Sequence, residues 1–440
     1  MRGPDGESLH ERKPSAKDAF MLRLFFSSIL FSLATYVGAE AVPVKILPGV
    51  GIMRGGERYF VKGAAGDKYL DELEASGGNS FRTWTTNGLG PILDNAQKRE
   101  LTVCAGIWLE PECSWFSYRN PEHCERQMER VKKEVTAYRD HPALLFWGIG
   151  NEAEGDGNNM AYWIQMERLA KAVKELDPAH PTFTALAGLQ PLKIAGLNAL
   201  TPSLDFVGIN TYGALHALRD YLAREKWTRP WVVTEYGARG FWESPHTKWG
   251  APIEPFSGAK ADVVRKGYEA AIAPGGDCWG GYVFLWGQKQ EATSTWFGIF
   301  TESGESTAIR DVMHELWNGG SPPDRAPELT NLTSDAAKKE IEAGSEFTAQ
   351  SEASDPDGDP ITYHWTVSPE SSGRDKNGKE RPTKPLPECV ITVEGPSATF
   401  HAPTKPGDYR VHLLVTDSRK RAATGNFPIK VTEKGADRAK

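Results

Sequence analysis

From residue 58 to residue 317 the chain alternates two textures. Short runs of unbroken apolar residues are followed by longer stretches in which apolar positions recur every three or four residues. The first texture appears at 58–63 (RYFVKG), 79–84 (NSFRTW), 101–107 (LTVCAGI) and 143–150 (ALLFWGIG). It returns at 182–187 (TFTALA), 205–212 (DFVGINTY), 231–235 (WVVTE) and 281–286 (GYVFLW). Strands that are apolar on every residue, rather than on alternate ones, have both faces buried, as in a parallel sheet. The stretches between them have helical period. In NMAYWIQMERLAKAVKELD, Leu169, Val173 and Leu176 fall on one face. Eight strand–helix units in this span predict an α/β fold of the (β/α)8 TIM-barrel type. An open doubly wound sheet is the rival, but the first turn lacks a G-x-G-x-x-G phosphate loop.

The texture changes at residue 319. NGGSPPDRAPELT is Gly/Pro-rich and polar, which marks a linker. Short alternating runs follow, among them EFTAQSEA, ITYHWTV, DYRVHLLVTD and NFPIKVTE, separated by turn residues and without helical pattern. They predict a small all-β immunoglobulin-like sandwich. The resulting division is 1–41 as a signal peptide, 42–318 as the barrel, 319–328 as a linker and 329–440 as the sandwich. The signal is read from FMLRLFFSSILFSLATYV (20–37), an apolar core followed by the small residues VGAEA. Arg23 and the short clean core argue against a spanning helix, and no later segment is apolar enough to cross a bilayer. The expected location is secreted, periplasmic or cell-surface.

Composition narrows the partners. The 440 residues are 39% hydrophobic and 25% charged, with a net charge of −7 and no long Lys/Arg stripe. A nucleic-acid partner is therefore not expected. Five cysteines are too few for a disulfide scaffold, although Cys113 and Cys124 could close one loop in an oxidising compartment.

Active sites of such barrels form at the C-terminal ends of the strands. Glu152 ends the fourth predicted strand and Glu235 the seventh, so the barrel brings their tips to one mouth. Arg82 lies in the second strand, Asn210 and Tyr212 end the sixth, and Trp286 ends the eighth. Two facing carboxylates suit glycoside hydrolysis, one protonating the leaving oxygen while the other attacks or activates water. Like charges held close also separate their pKa values. Among the 14 tryptophans, Trp108, Trp115, Trp242, Trp249 and Trp296 fall in or just after strand-end loops, where aromatic faces would make subsites for a glycan. Glu110, Glu112 and Glu154 crowd the same rim, as solvated or hydroxyl-binding groups. No metal or cofactor is called for in the barrel.

FWGIGNEAEGD (146–156) followed by RPWVVTEYGARG (229–240) resembles the catalytic barrel of glycoside hydrolase clan A, most closely family 2. The resemblance spans about residues 58 to 317. It implies a retaining double displacement with Glu152 as general acid/base and Glu235 as nucleophile, their carboxyl groups about 5–5.5 Å apart. It further implies that Asn151 holds the substrate's 2-hydroxyl, that Arg82 and Tyr212 hydrogen-bond the nucleophile, and that Trp286 floors the sugar. Asn210, Trp108, Trp242 and Trp296 complete the expected substrate-binding set. The chain departs from family 2 in that only VPVKILPGVGIMRGGE (42–57) lies between the signal and the first strand, where that family usually carries sandwich domains; its substrate preferences are not carried over. GGYVFLWGQKQEATSTWFGIF (280–300) is also similar to the last strand of fungal-type 1,3-glucan glucanosyltransferases of the same clan.

The C-terminal unit resembles PKD/cadherin-like immunoglobulin modules through ASDPDGDPITYHW (353–365). Asp355, Asp357 and Asp359 alternate there through a turn that either holds calcium or is simply an Asp/Gly/Pro turn. Its expected role is spacer, stabiliser, or glycan and cell-surface contact. The expected function is a secreted retaining β-glycoside hydrolase acting on a β-linked oligo- or polysaccharide. The alternatives are a β-glucan transglycosylase and a catalytically inactive glycan-binding surface protein.

Overall fold

A computed structural model describes residues 40–47, 49–371, 373–374 and 380–435. The segment read as a signal, apart from its last two residues, lies outside the described residues. Among those described, no helix is long and apolar enough to cross a membrane.

Eight parallel strands close into a barrel. In chain order after three short N-terminal strands they are β4 (Val61–Ala65), β5 (Ser80–Arg82), β6 (Thr102–Ile107), β7 (Leu144–Asn151), β8 (Thr182–Ala187), β9 (Val207–Asn210), β10 (Trp231–Tyr236) and β11 (Cys278–Val283). Each pairs with its sequence neighbours, and β11 closes on β4. The eight predicted strands are all present in the predicted order. The first and last shift, however: the chain breaks at Phe60 between Tyr59 and Val61, and β11 ends at Val283, three residues before Trp286.

Core volume explains the strand composition. Phe146, Phe183 and Phe206 fill the barrel interior, with the Phe183 and Phe206 rings stacked at 4.8 Å. Space for Phe183 comes from glycine on both neighbouring strands, since a Cβ on Gly148 or Gly208 would meet its ring at 2.8 or 2.9 Å. A three-stranded antiparallel sheet, β1 (Val44–Leu47), β2 (Gly51–Arg54) and β3 (Glu57–Tyr59), adds Val44 and Ile52 to the same interior cluster beside Trp279. A second apolar layer lies between strands and surrounding helices. The helices Pro121–Tyr138 and Met160–Leu176 begin at Asn120 and Asn159, whose side chains accept backbone N–H bonds. Leu169 and Val173 are buried and Leu176 partly so, as the periodicity requires.

A four-stranded antiparallel sheet and a five-stranded mixed sheet, packed around Trp365, Phe347 and Phe400, make up the C-terminal sandwich. The barrel contributes to it directly. Ser306–Thr307, just before the helix Ala308–Asn318, pairs in parallel with the last sandwich strand at Arg421 and Ala422. Residues 319–328, read from composition as a linker, are fastened at 324–326. Asp324 pairs with Arg421 at 2.9 Å, Arg325 with Asp357 at 2.8 Å, and the Ala326 N–H donates to Asp311 at 2.7 Å. The composition records a chain without regular structure there, and such a chain can still be tied down by side chains. The Cys113–Cys124 bridge is absent; both are free thiols, and Cys124 Sγ donates to the Tyr118 carbonyl at 3.3 Å.

Candidate active site

Glu152 and Glu235 line one cavity of about 900 Å3 at the C-terminal end of the barrel. Glu235, near the end of β10 and 5% exposed, is an acceptor for three donors. Arg82 Nη1 and Trp84 Nε1 donate to its Oε1 at 3.0 and 2.8 Å, and the Tyr212 hydroxyl donates to its Oε2 at 2.8 Å. Burial, and next the Glu235 charge, push the Tyr212 phenol well above its usual range, so it stays a proton donor.

Glu152 has a different setting. β7 bulges against β8 between Gly148 and Asn151, and Glu152 itself adopts a left-handed backbone, φ +52°. A non-glycine residue held there costs roughly 1–3 kcal/mol. The Glu152 N–H donating to Ala185 O at 2.8 Å holds the turn, and the side chain leaves the strand into the cavity. Its carboxyl is open to the cavity and takes one amide donor, Asn210 Nδ2 at 2.8 Å. The walls around it displace bulk water. That desolvation, then the negative charge of Glu235, raises its pKa above the ordinary carboxylate value.

A continuous polar chain joins the two acids. Asn210 Nδ2 also donates to Asn151 Oδ1 at 3.1 Å, and Arg82 Nη2 donates to that oxygen at 2.7 Å. Thr234 fixes the Asn210 amide by donating to its Oδ1 at 2.7 Å. Both bonds to Asn151 use its oxygen, so its Nδ2 remains a donor for a bound molecule. Two carboxyls at one mouth, one a triply bonded acceptor and the other biased toward the acid form, can act as a nucleophile and a proton donor on a single acetal.

Not every expected residue is here. Trp108 and Trp242 line the cavity with 42% and 55% exposure. Trp286 does not; it is fully buried against Phe300 and Trp317, its indole donates to the Tyr69 carbonyl at 3.1 Å, and it borders an adjoining cavity instead. The strand stops at Val283, so alternation along it does not carry to position 286. Trp296 is likewise fully buried, edge-on to Phe241, with its Nε1 donating to Arg239 O at 2.9 Å. Trp115 and Trp249 lie outside the cavity lining. The three rim glutamates have other partners. Glu154 is buried and paired with Lys193 at 2.6 Å, Glu110 with Arg130 at 3.1 Å, and Glu112 accepts from the Tyr118 N–H and from Asn159.

Three aromatic residues of the lining were not expected: Trp84, Phe284 and Phe297. All line the cavity, where Phe284 and Phe297 stand against Tyr212 at 5.8 and 5.3 Å. Trp84 had a usable signal, being an aromatic two residues past Arg82 at the end of the second strand. Phe284 and Phe297 had none, since apolar residues beside a strand read as core.

In the sandwich, Asp355 accepts from the backbone of Asp357 and Asp359, and Asp357 and Asp359 pair with Arg325 and Arg419. Carboxylate oxygens of Asp324, Asp359 and Asp417 lie within 4.8 Å of one another.

A closed (β/α)8 barrel with two carboxyls at its mouth is thus joined to a β-sandwich. The comparisons refine it: residues 92–245 match the family model for glycosyl hydrolases family 2, TIM barrel domain, and residues 331–427 match the PKD domain. Glu152 and Glu235 both lie inside the first of these matched spans. The β-glucuronidase of Sus scrofa is 25% identical over 271 residues, covering 57% of this chain and 40% of the relative. The β-galactosidase of Leuconostoc mesenteroides is 24% identical over 147 residues, 28% of this chain and 12% of the relative. The chain therefore spans less than half the length of these curated relatives. Among solved structures, Bacteroides uniformis β-glucuronidase 2 superposes with a TM-score of 0.51 at 13% identity, over 89% of this chain and 48% of that one. The β-galacturonidase of Eisenbergiella tayi gives 0.50 at 17% identity, over 64% and 54%. Both likenesses concern the fold.

Proposed function

We propose that the chain is a retaining β-glycoside hydrolase with Glu235 as nucleophile and Glu152 as acid/base. The contrast between the two carboxyl environments within one hydrogen-bonded chain carries this reading. Glu235 attacks the anomeric carbon as the Glu152 proton passes to the departing glycosidic oxygen, leaving a glycosyl ester on Glu235. Glu152, now a carboxylate, takes a proton from water, whose oxygen attacks the same carbon and releases Glu235. Arg82, Trp84 and Tyr212 orient the nucleophile, and Asn151 Nδ2 is placed to hold a hydroxyl next to the reacting carbon.

The test is Glu235→Ala assayed on a panel of aryl β-glycosides, β-galactosides and β-glucuronides. Turnover is expected to vanish, and azide to restore some of it with inverted product. Near-normal activity of the variant on every substrate of the parent overturns the assignment. We also read the chain as exported, on the strength of residues 20–41; fractionation of cells expressing the full chain checks it.

A further inference from the structure

A second cavity, of about 520 Å3, adjoins the first, and the two share Trp84, Leu285 and Lys289 as a common wall. Its far side carries Glu380 and Pro382 of the C-terminal unit. This side is anchored: Glu380 Oε2 accepts the Ala292 N–H at 2.8 Å, in the barrel loop that also bears Lys289 and Glu291. Behind that loop the buried Arg410 of the sandwich donates to Pro252 O of the barrel at 2.8 Å, and Asn426 donates to Glu254 at 2.7 Å. The sandwich wall therefore holds its place relative to Glu152 and Glu235.

Size and charge together define what would fill the pair of cavities. A volume of about 900 Å3 for the first alone far exceeds a single pyranose ring. Glu152, Glu235, Glu243 and Glu291 line it against one ammonium, Lys289, which is paired with Glu291 at 2.5 Å. In the first cavity a uronate would meet more carboxyl groups than cations, whereas neutral hydroxyls would meet acceptors; the second cavity sets Asp67 and Glu380 against Lys68 and Lys289 and so offers a uronate chain no net positive lining.

Building on the glycosidase reading, we propose that the two cavities form one run of subsites for a neutral β-linked oligosaccharide, and that the PKD domain supplies its outer wall through Glu380 and Pro382. Binding energy gathered in the outer cavity would then be spent at the reacting bond, so turnover would rise with chain length.

The experiment compares the parent with Pro382→Trp, which fills the outer cavity, and Glu380→Ala, which removes its polar wall. Substrates are aryl β-monoglycosides and neutral β-linked gluco-, manno- and galacto-oligosaccharides from disaccharide to hexasaccharide, with oligoglucuronides as the charged control. The parent should cleave its best neutral hexasaccharide with kcat/KM about tenfold above the matching disaccharide, and Pro382→Trp should erase that gain while leaving aryl monoglycoside turnover unchanged. Unchanged aryl turnover also certifies that the variant is folded. Calorimetry of the hexasaccharide on Glu235→Gln, with and without Pro382→Trp, reads the same subsites without turnover. Equal loss on long and short substrates, no loss on either, no gain with chain length in the parent, or preference for oligoglucuronides overturns the proposal. A parent inactive on every aryl glycoside and oligosaccharide defeats the glycosidase reading instead.

Discussion

Arg82 bonds Glu235 with one guanidinium nitrogen, at 3.0 Å, and with the other reaches Asn151 at 2.7 Å. One residue from β5 thereby sets the position of a carboxylate from β10 and of an amide from β7. Its planar fork makes this possible; a lysine offers a point charge without the geometry. Arg82→Lys is expected to lower kcat/KM on the best aryl glycoside by about 10²-fold, the usual cost of a lost, pre-aimed donor. Steady-state kinetics with a thermal melt decide it. A fall in activity matched by a lost fold would assign Arg82 to the core alone.

The raised pKa of Glu152 fixes the direction of the alkaline limb. In the proposed mechanism the acid form protonates the leaving oxygen, so turnover should decline as pH rises through a value above the ordinary carboxylate range. The Asn210 amide works against burial and the Glu235 charge by stabilising the ionised form. Asn210→Ala should therefore move the alkaline limb of kcat/KM to higher pH. A shift to lower pH would show that Asn210 acts chiefly on the acid form.

How far the chain announces its own structure depends on the kind of signal. The barrel was legible because eight doubly buried strands leave continuous apolar runs, and the acid pair because strand ends converge. The tryptophans were not. An indole can line a cleft or pin two loops, and local pattern is the same for Trp242, which faces the cavity, and Trp296, which gives its N–H to the Arg239 carbonyl. The junction between barrel and sandwich was illegible for a related reason. Asn426 and Glu254 meet across 172 positions of sequence, a separation that periodicity does not reach.

That distinction between tryptophans is measurable. Trp242→Ala should raise KM about tenfold with little change in the melting temperature, since the ring is more than half exposed at the cavity. Trp286→Ala should instead cost about 3–5 kcal/mol of stability, as a fully buried ring leaves a void on truncation. Chemical denaturation beside kinetics separates the two. A Trp286→Ala protein of normal stability but raised KM would restore it to the sugar-binding floor.

Glu254 offers a test of the junction. It is buried in the barrel, paired with Lys260, and accepts from Thr293 Oγ1 at 2.6 Å, Thr295 Oγ1 at 2.9 Å and Asn426 Nδ2 at 2.7 Å. Burial alone would raise its pKa, but the charge and hydrogen bond of Lys260, the Thr293 hydroxyl and the Arg410 charge outweigh it and bring the carboxyl down to about 2 from 4.5. A folded-state pKa below the unfolded one stabilises at pH values above the unfolded pKa, and the contribution disappears as pH falls from about 4.5 toward 2. Glu254→Ala leaves the Lys260 ammonium buried without its counter-charge, at an expected cost of about 3–5 kcal/mol near neutrality. Urea unfolding of parent and variant at pH 7 and at pH 3 should show the gap narrowing in acid, where the parent begins to lose the same charge. A gap that stays constant between the two pH values would mean that the carboxylate's packing, and not its charge, holds the sandwich to the barrel.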